Sequence, residues 1–276
     1  QIPDRQERID HIMHNQVYGI ACTELTALLA RRSVYCSKTA NGRFAVSRFD
    51  NPEGNIRYEA IQHSWVGGKC RFCGASQSVY DRGTDAEQYA YQFIHTDNPS
   101  QLTGNMTFDV IIGNPPYQLA DGGSGTGISA KPLYHLFVEQ AKRLSPHYLI
   151  MIIPSRWFAG GKGLDEFRDN MINDRHLKHL VDFMSSKDCF PGVNIAGGVN
   201  YFLWDSSHNG PCIIENRSEF VETRVSKRYL NEYPIFVRDN IAVNIIKKFK
   251  SSKDLSLEEC TYTRNPFGFD SKARGR

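Results

Sequence analysis

The feature that most constrains this chain is a strand that is stopped abruptly. Residues 108–123 read "FDVIIGNPPYQLADGG": a largely apolar run from Phe108 to Ile112 meets Gly113 and Asn114, then two prolines and Tyr117. A short β-branched run of this kind suits a strand of a parallel sheet covered on both faces. Pro115 and Pro116 have fixed φ and no N–H to donate, so they close the strand with a rigid turn whose carbonyls stay available as acceptors. In open α/β sheets the carboxyl ends of the strands are where ligands bind, so this turn is a candidate site.

Strand and helix signals alternate around it. The stretch "YLIMIIP" (148–154) and residues 179–183 and 198–204 read as strands, and 132–144 and 164–173 as helices, with Pro132 in the first turn of the former. Residues 16–36 read as a short strand, a turn at Gly19 and a helix capped by Thr23, with Leu25, Leu28 and Leu29 on one face. Short strands about the turn "NPEGN" are expected over 44–61, an irregular insertion over 62–83 and a helical stretch near 85–93. The alternation implies an α/β fold with a mostly parallel sheet. After Asn209 the texture changes to short strands and one helix near 240–249, which divides the chain into a first domain at 1–208 and a second region at 209–276.

With 276 residues the chain can bury one sizeable core plus an appendage. It has no apolar run of about 20 residues, as a membrane span requires, and its first residues lack a signal-peptide core. Seven scattered cysteines, an odd number, suit reduced thiols in a cytoplasmic setting. The net charge of +3 does not announce a polyanion partner; Arg31-Arg32, Lys142-Arg143 and Lys247-Lys248-Phe249-Lys250 read as solvated faces or phosphate contacts.

The Asn-Pro-Pro-Tyr turn suggests a chemistry of its own. The Asn114 amide oxygen and the Pro115 carbonyl, side by side, can accept both hydrogens of an NH2 group and favour a pyramidal nitrogen whose lone pair faces an electrophile. Tyr117 adds a flat face, and stacking a base on such a ring contributes about 1–3 kcal/mol. The following "DGGSGTG" neither directly follows a strand nor carries a P-loop lysine, so it reads as a flap rather than a phosphate cradle. A separate stretch, "HSWVGGKCRFCGAS", puts His63, Cys70 and Cys73 in one loop; with His95 they would form a Cys2His2 zinc site, metal-free thiols being the alternative.

"FDVIIGNPPY" resembles motif IV of the S-adenosylmethionine-dependent amino-methyltransferases that act on adenine N6 in DNA, and the resemblance runs from about Val17 to Trp204. The segment "YGIACTELTALLARRSVY" resembles the one that follows the cofactor-binding glycine loop in restriction-modification methylases of the gamma arrangement. "IMIIPSRWFAGGKGLDEFR" resembles the region after motif V, and "DCFPGVNIAGGVNYFLW" resembles motif VIII. The resemblance implies a Rossmann-like methyltransferase fold and methyl transfer to an adenine flipped out of double-stranded DNA. It assigns the catalytic turn to Asn114, Pro115, Pro116 and Tyr117 and base stacking to Tyr117 and Phe190. Cofactor contacts fall to Glu24 and Asp97, although the acid expected directly after "YGI" is replaced by Ala21.

The family's first strand, ending in an Asp-Pro-x-x-Gly-x-Gly-like loop, has no counterpart in the sequence. The expectation is therefore an internal fragment of a larger enzyme, with that loop and a restriction endonuclease or helicase module upstream, and a DNA target-recognition region starting after Asn209. Two other readings remain: a protein-glutamine N5 methyltransferase, which shares the tetrad, and a catalytically incomplete DNA-binding fragment.

Overall fold

The computed structural model describes residues 2–81, 89–119, 131–219, 221–233 and 235–250. The glycine loop of residues 121–127 and the first part of the 85–93 stretch lie outside them; within that stretch Gln92–Ile94 forms a single 3-10 turn. Two compact units are present, Gln1–Phe236 and Val237–Arg276.

The first unit begins with α1 (Arg5–Asn15), whose N-terminus is capped by the Asp4 carboxylate accepting the Glu7 N–H at 2.9 Å. β1 (Gly19–Ile20), α2 (Glu24–Tyr35) and β2 (Ile56–Arg57) follow, with β1 and β2 paired in parallel. β3 (Trp65–Val66) and β4 (Lys69–Cys70) form a hairpin, followed by the one-turn α3 (Gln77–Tyr80). Then come β5 (Val110–Gly113), α4 (Tyr134–Arg143), β6 (Tyr148–Pro154), α5 (Asp165–Asn173) and β7 (Leu177–Phe183). β8 (Val199–Asp205), β9 (Cys212–Arg217) and β10 (Arg224–Arg228) end the unit, and α6 (Asn240–Lys250) belongs to the second.

The main sheet has the order β10-β9-β7-β8-β6-β5. β5 runs parallel to β6 and β9 to β7, whereas β8 is antiparallel to both of its neighbours and β10 is antiparallel to β9. Four of the six strands therefore point one way, as the α/β reading requires, and their carboxyl ends share one edge of the sheet. The core is built on alternate strand residues, Leu149, Met151 and Ile153 of β6, Leu180 of β7, Phe202 of β8 and Ile214 of β9. Trp157 and Phe167 pack over them, together with Tyr134, Val138 and Ala141 of α4, which repeat at helical spacing.

Several expectations shift. β9 and β10 join the main sheet, so the compact unit extends to Phe236 instead of closing near residue 208; parallel pairing with β7 outweighs the change in sequence texture. Over 44–61 only Ile56–Arg57 is a strand. Thr23 does cap α2, in a reciprocal box with Thr26, but the leucine stripe is not the buried face: Leu25 and Leu29 are exposed while Ala27, Arg31 and Tyr35 are buried. Polar anchors set that rotation. The Arg31 guanidinium donates to the Ile56 carbonyl and to Glu53, and the Tyr35 hydroxyl accepts the Asn55 N–H at 2.8 Å. Arg31 and Lys142, the latter 2.6 Å from Asp174, are thus tied to the protein rather than free for phosphates.

Candidate active site

β5 carries the tetrad to the carboxyl edge of the sheet. It is an edge strand among the described residues, and only one of its faces is covered, contrary to the sequence reading: Ile111 packs on the core while Val110 and Ile112 are 52% and 74% exposed. Asn114 follows at the exposed strand end with Pro115 buried beneath it. The chain beyond the tetrad is stitched to the approach to α4, because Tyr117 accepts the Leu133 N–H and Leu119 donates to the Lys131 carbonyl, each at 3.0 Å. Pro132 consequently bridges Gln118 instead of opening the helix, which starts at Tyr134.

Two adjacent cavities meet at this turn. The smaller, about 310 Å³, lies between β1 and β5, with Tyr91 and Phe93 on its wall, and reaches Asn114 and Pro115. The larger, about 720 Å³, contains Asn114, Pro115, Pro116 and Tyr117 and is bounded on another side by Phe190, Val193 and Ile195. Both volumes fall in the range of small-molecule sites. Gly19 to Cys22, Tyr91, Asn114 and Pro115 line both, so the tetrad stands where the two spaces join. The Phe190 loop is held by Ser186, whose hydroxyl donates to the Val193 carbonyl and accepts the Ile195 N–H, both at 2.8 Å. Beneath the strand ends, the buried Ser155 hydroxyl donates to Asp182 at 2.9 Å and accepts from the Asn200 amide at 3.1 Å.

The Tyr117 hydroxyl is buried and has no hydrogen-bond partner among the described residues, and burial pushes its pKa up to about 12. It is a neutral ring at any physiological pH. Cys22 is likewise a neutral thiol, pushed up to about 11 by burial.

The structure brings Asn114, Pro115, Pro116, Tyr117 and Phe190 to one cavity, but neither Glu24 nor Asp97 lines either space. Glu24 is exposed in the first turn of α2, and Asp97 forms an exposed ion pair with Arg71. Tyr91, Gln92 and Phe93 line the smaller cavity and escaped the sequence reading; no local pattern marks them, since they reach it only when their short helix packs against α4. His63, Cys70 and Cys73 of one loop and His95, 22 residues further on, converge with their ligand atoms within 4.8 Å of one another.

The lining of the smaller cavity fits one part of S-adenosylmethionine and not another. Aromatic rings, aliphatic side chains and the Asn114 amide suit an adenine and the carbon chain next to a sulfonium. No charged side chain among the described residues lines it, so the charged methionine end and the ribose hydroxyls find no ionic partner there. Among the described residues no helix is long and apolar enough to cross a membrane.

Residues 15–190 match the sequence model of the family described as Eco57I restriction-modification methylase. A relative from Mycoplasma pneumoniae, described as an uncharacterized adenine-specific methylase, is 33% identical over 300 aligned residues, which take in 96% of this chain and 71% of the relative. Two solved structures align more loosely. A nuclease-deletion mutant of the type ISP enzyme LlaGI, in complex with a DNA substrate mimic, shows 14% identity over 89% of this chain and 20% of its own, with a TM-score of 0.43. The methyltransferase subunit of a type I restriction-modification system from Streptococcus thermophilus shows 12% identity over 92% and 53%, with a TM-score of 0.36. The chain thus spans about a fifth and about half of these two proteins, and the assignment rests on the two sequence matches.

Proposed function

This chain belongs to the Eco57I restriction-modification methylase family, and from that premise we propose that it forms the target-base side of an enzyme that methylates N6 of adenine in double-stranded DNA. The observation that carries the reading is the placement of Asn114 and Pro115 at the junction of two cavities, with Tyr117 and Phe190 lining the larger one. An adenine rotated out of the duplex would occupy the larger space, its ring against Tyr117 and Phe190. Its exocyclic amine would then donate one hydrogen to the Asn114 amide oxygen and one to the Pro115 carbonyl. Two acceptors at these positions draw the nitrogen lone pair out of conjugation and aim it toward the smaller cavity. S-adenosylmethionine, when bound, supplies the electrophilic methyl group.

The smaller cavity also accounts for how the cofactor's remaining contacts would be made. Gly19 and Ala21 direct their N–H groups to the chain around β2, so by the two-residue period of a strand Ile20 faces the opposite edge, toward β5. Two strand edges therefore look at each other across the cleft. We infer that a strand ending in a glycine loop pairs between them and supplies the polar contacts for the methionine end. Residues from Val237 onward form a unit of their own and would begin the target-recognition region.

Supplying the intact protein with methyl-labelled S-adenosylmethionine and plasmid DNA, then digesting the DNA to nucleosides, tests the reaction. N6-methyladenine is expected. Label in a protein glutamine, with unmodified DNA, would favour the glutamine methyltransferase reading and overturn this one.

A further inference from the structure

The loop that carries Cys70 and Cys73 has no part in the chemistry above, yet it is the most convergent cluster of metal-binding groups among the described residues. We propose that His63, Cys70, Cys73 and His95 hold one structural zinc ion, and that the ion fixes the cavity wall formed by Tyr91 and Gln92.

The separations argue for it first. Zinc bonded to sulfur at about 2.3 Å and to imidazole nitrogen at about 2.05 Å sets tetrahedral edges of about 3.5 Å between sulfur and nitrogen and about 3.3 Å between two nitrogens. Cys73 Sγ lies 3.5 Å from His63 Nδ1, and His95 Nε2 lies 3.2 Å from the same atom. These two separations match two of the six edges of such a tetrahedron, and all four ligand atoms lie within 4.8 Å of one another.

The orientation of His95 argues for it second. Its Nδ1 is 2.8 Å from the Tyr91 carbonyl oxygen, which can only accept, so Nδ1 carries the proton and Nε2 turns a lone pair toward the cluster. Metal-bound histidines are characteristically oriented by this kind of bond on the other ring nitrogen.

The loop itself is shaped as a knuckle. Gly67 and Gly68, at φ of +57° and +76°, make the tight turn of the β3–β4 hairpin, and Gly74, at +67°, follows the second cysteine, where its N–H donates to the Cys70 carbonyl at 2.9 Å. The Cys70 N–H in turn donates to the Ala75 carbonyl at 2.8 Å. Both thiols are buried, Cys73 with 1% exposure, and both cysteines are free rather than bridged. The hairpin strands are two residues each, too short to hold a loop by pairing alone, so an ion that crosslinks four side chains is a fitting source of order.

The position links the ion to function. His95 ends the short helix whose preceding and first residues, Tyr91 and Gln92, line the smaller cavity, and Cys70, Cys73, Tyr91 and Phe137 share one apolar cluster with Leu119, two residues beyond Tyr117. Binding zinc would release the two thiol protons to solvent and leave a neutral, fully coordinated centre. Its role is to position that wall, not to touch substrate.

Elemental analysis of the intact protein, purified without added metal or chelator, should find about one zinc per chain, and Cys70→Ser should lose it. Since that variant can also fail to fold, cobalt(II) loading of the chelated wild-type protein supplies a second readout. A tetrahedral spectrum with thiolate-to-metal charge transfer is expected, with quenching of Trp65, whose ring lies 4.8 Å from that of His63. Cys73→His should keep the metal and weaken the charge-transfer band. A folded protein free of metal, a Cys70–Cys73 disulfide in the isolated protein, or an octahedral cobalt spectrum would each overturn the proposal. These outcomes are independent of whether the protein methylates DNA.

Discussion

Two groups of polar and aromatic side chains flank Tyr91, and they are built in opposite senses. At the strand end, Asn114 is exposed, and Tyr117 and Phe190 line the same open space. At the knuckle, His63, Cys70 and Cys73 are buried and, with His95, turn toward one another. Groups aimed into empty space are held by the backbone behind them and are available to a ligand that comes and goes. Groups aimed at each other suit a permanent occupant. The first arrangement should show its importance in rate and the second in stability.

The largest expected effect follows from that division. Asn114→Ala removes an acceptor that acts on the target amine, and losing one such preorganised group reduces turnover by about 10² to 10³-fold. Because the side chain is exposed, folding stability should change by less than about 0.5 kcal/mol. Turnover and denaturant melts on the same preparation check both halves. A buried polar group that belongs to neither set should behave in reverse: Ser155→Ala breaks the contacts to Asp182 and Asn200 beneath the strand ends and should cost about 1.5–3 kcal/mol of stability, read as a lower urea midpoint.

Tyr117→Ala should weaken binding of an extruded base by the stacking energy, about 1–3 kcal/mol, whereas Tyr117→Phe should keep most of it, because the hydroxyl has no partner among the described residues to lose. A fluorescent adenine analogue in the target strand reports the difference; equal behaviour of both variants would make Tyr117 a packing residue. The smallest effect is expected for Asp97→Ala. Its exposed pair with Arg71 contributes about 1 kcal/mol or less, and cofactor affinity should shift by no more than about twofold.

What could be read from the sequence was whatever is encoded locally. The apolar run of β5 and the two prolines after it fix a strand and its stop within ten residues, and Thr23 announces a helix start through its own hydroxyl. The rotation of α2 could not be read that way, because the leucine spacing is a local signal while the anchors that decide it, Glu53, Asn55 and Ile56, lie more than a dozen residues downstream. The same holds for β9, whose pairing with β7 is a tertiary event, and for Tyr91, which enters the cavity wall through contact with Phe137. Cys70 and Cys73 declared themselves by spacing, with His63 in the same stretch and His95 as the candidate fourth ligand; that the four side chains converge is a matter of the fold.

The most direct test of the central claim separates binding from transfer in Asn114→Ala. The variant is made in the intact protein; its cofactor affinity is measured by calorimetry and its methyl transfer to DNA under single-turnover conditions. The account predicts an affinity within about threefold of wild type and transfer slower by about 10²-fold or more. Transfer at the wild-type rate, or a loss fully explained by weaker cofactor binding, would contradict it.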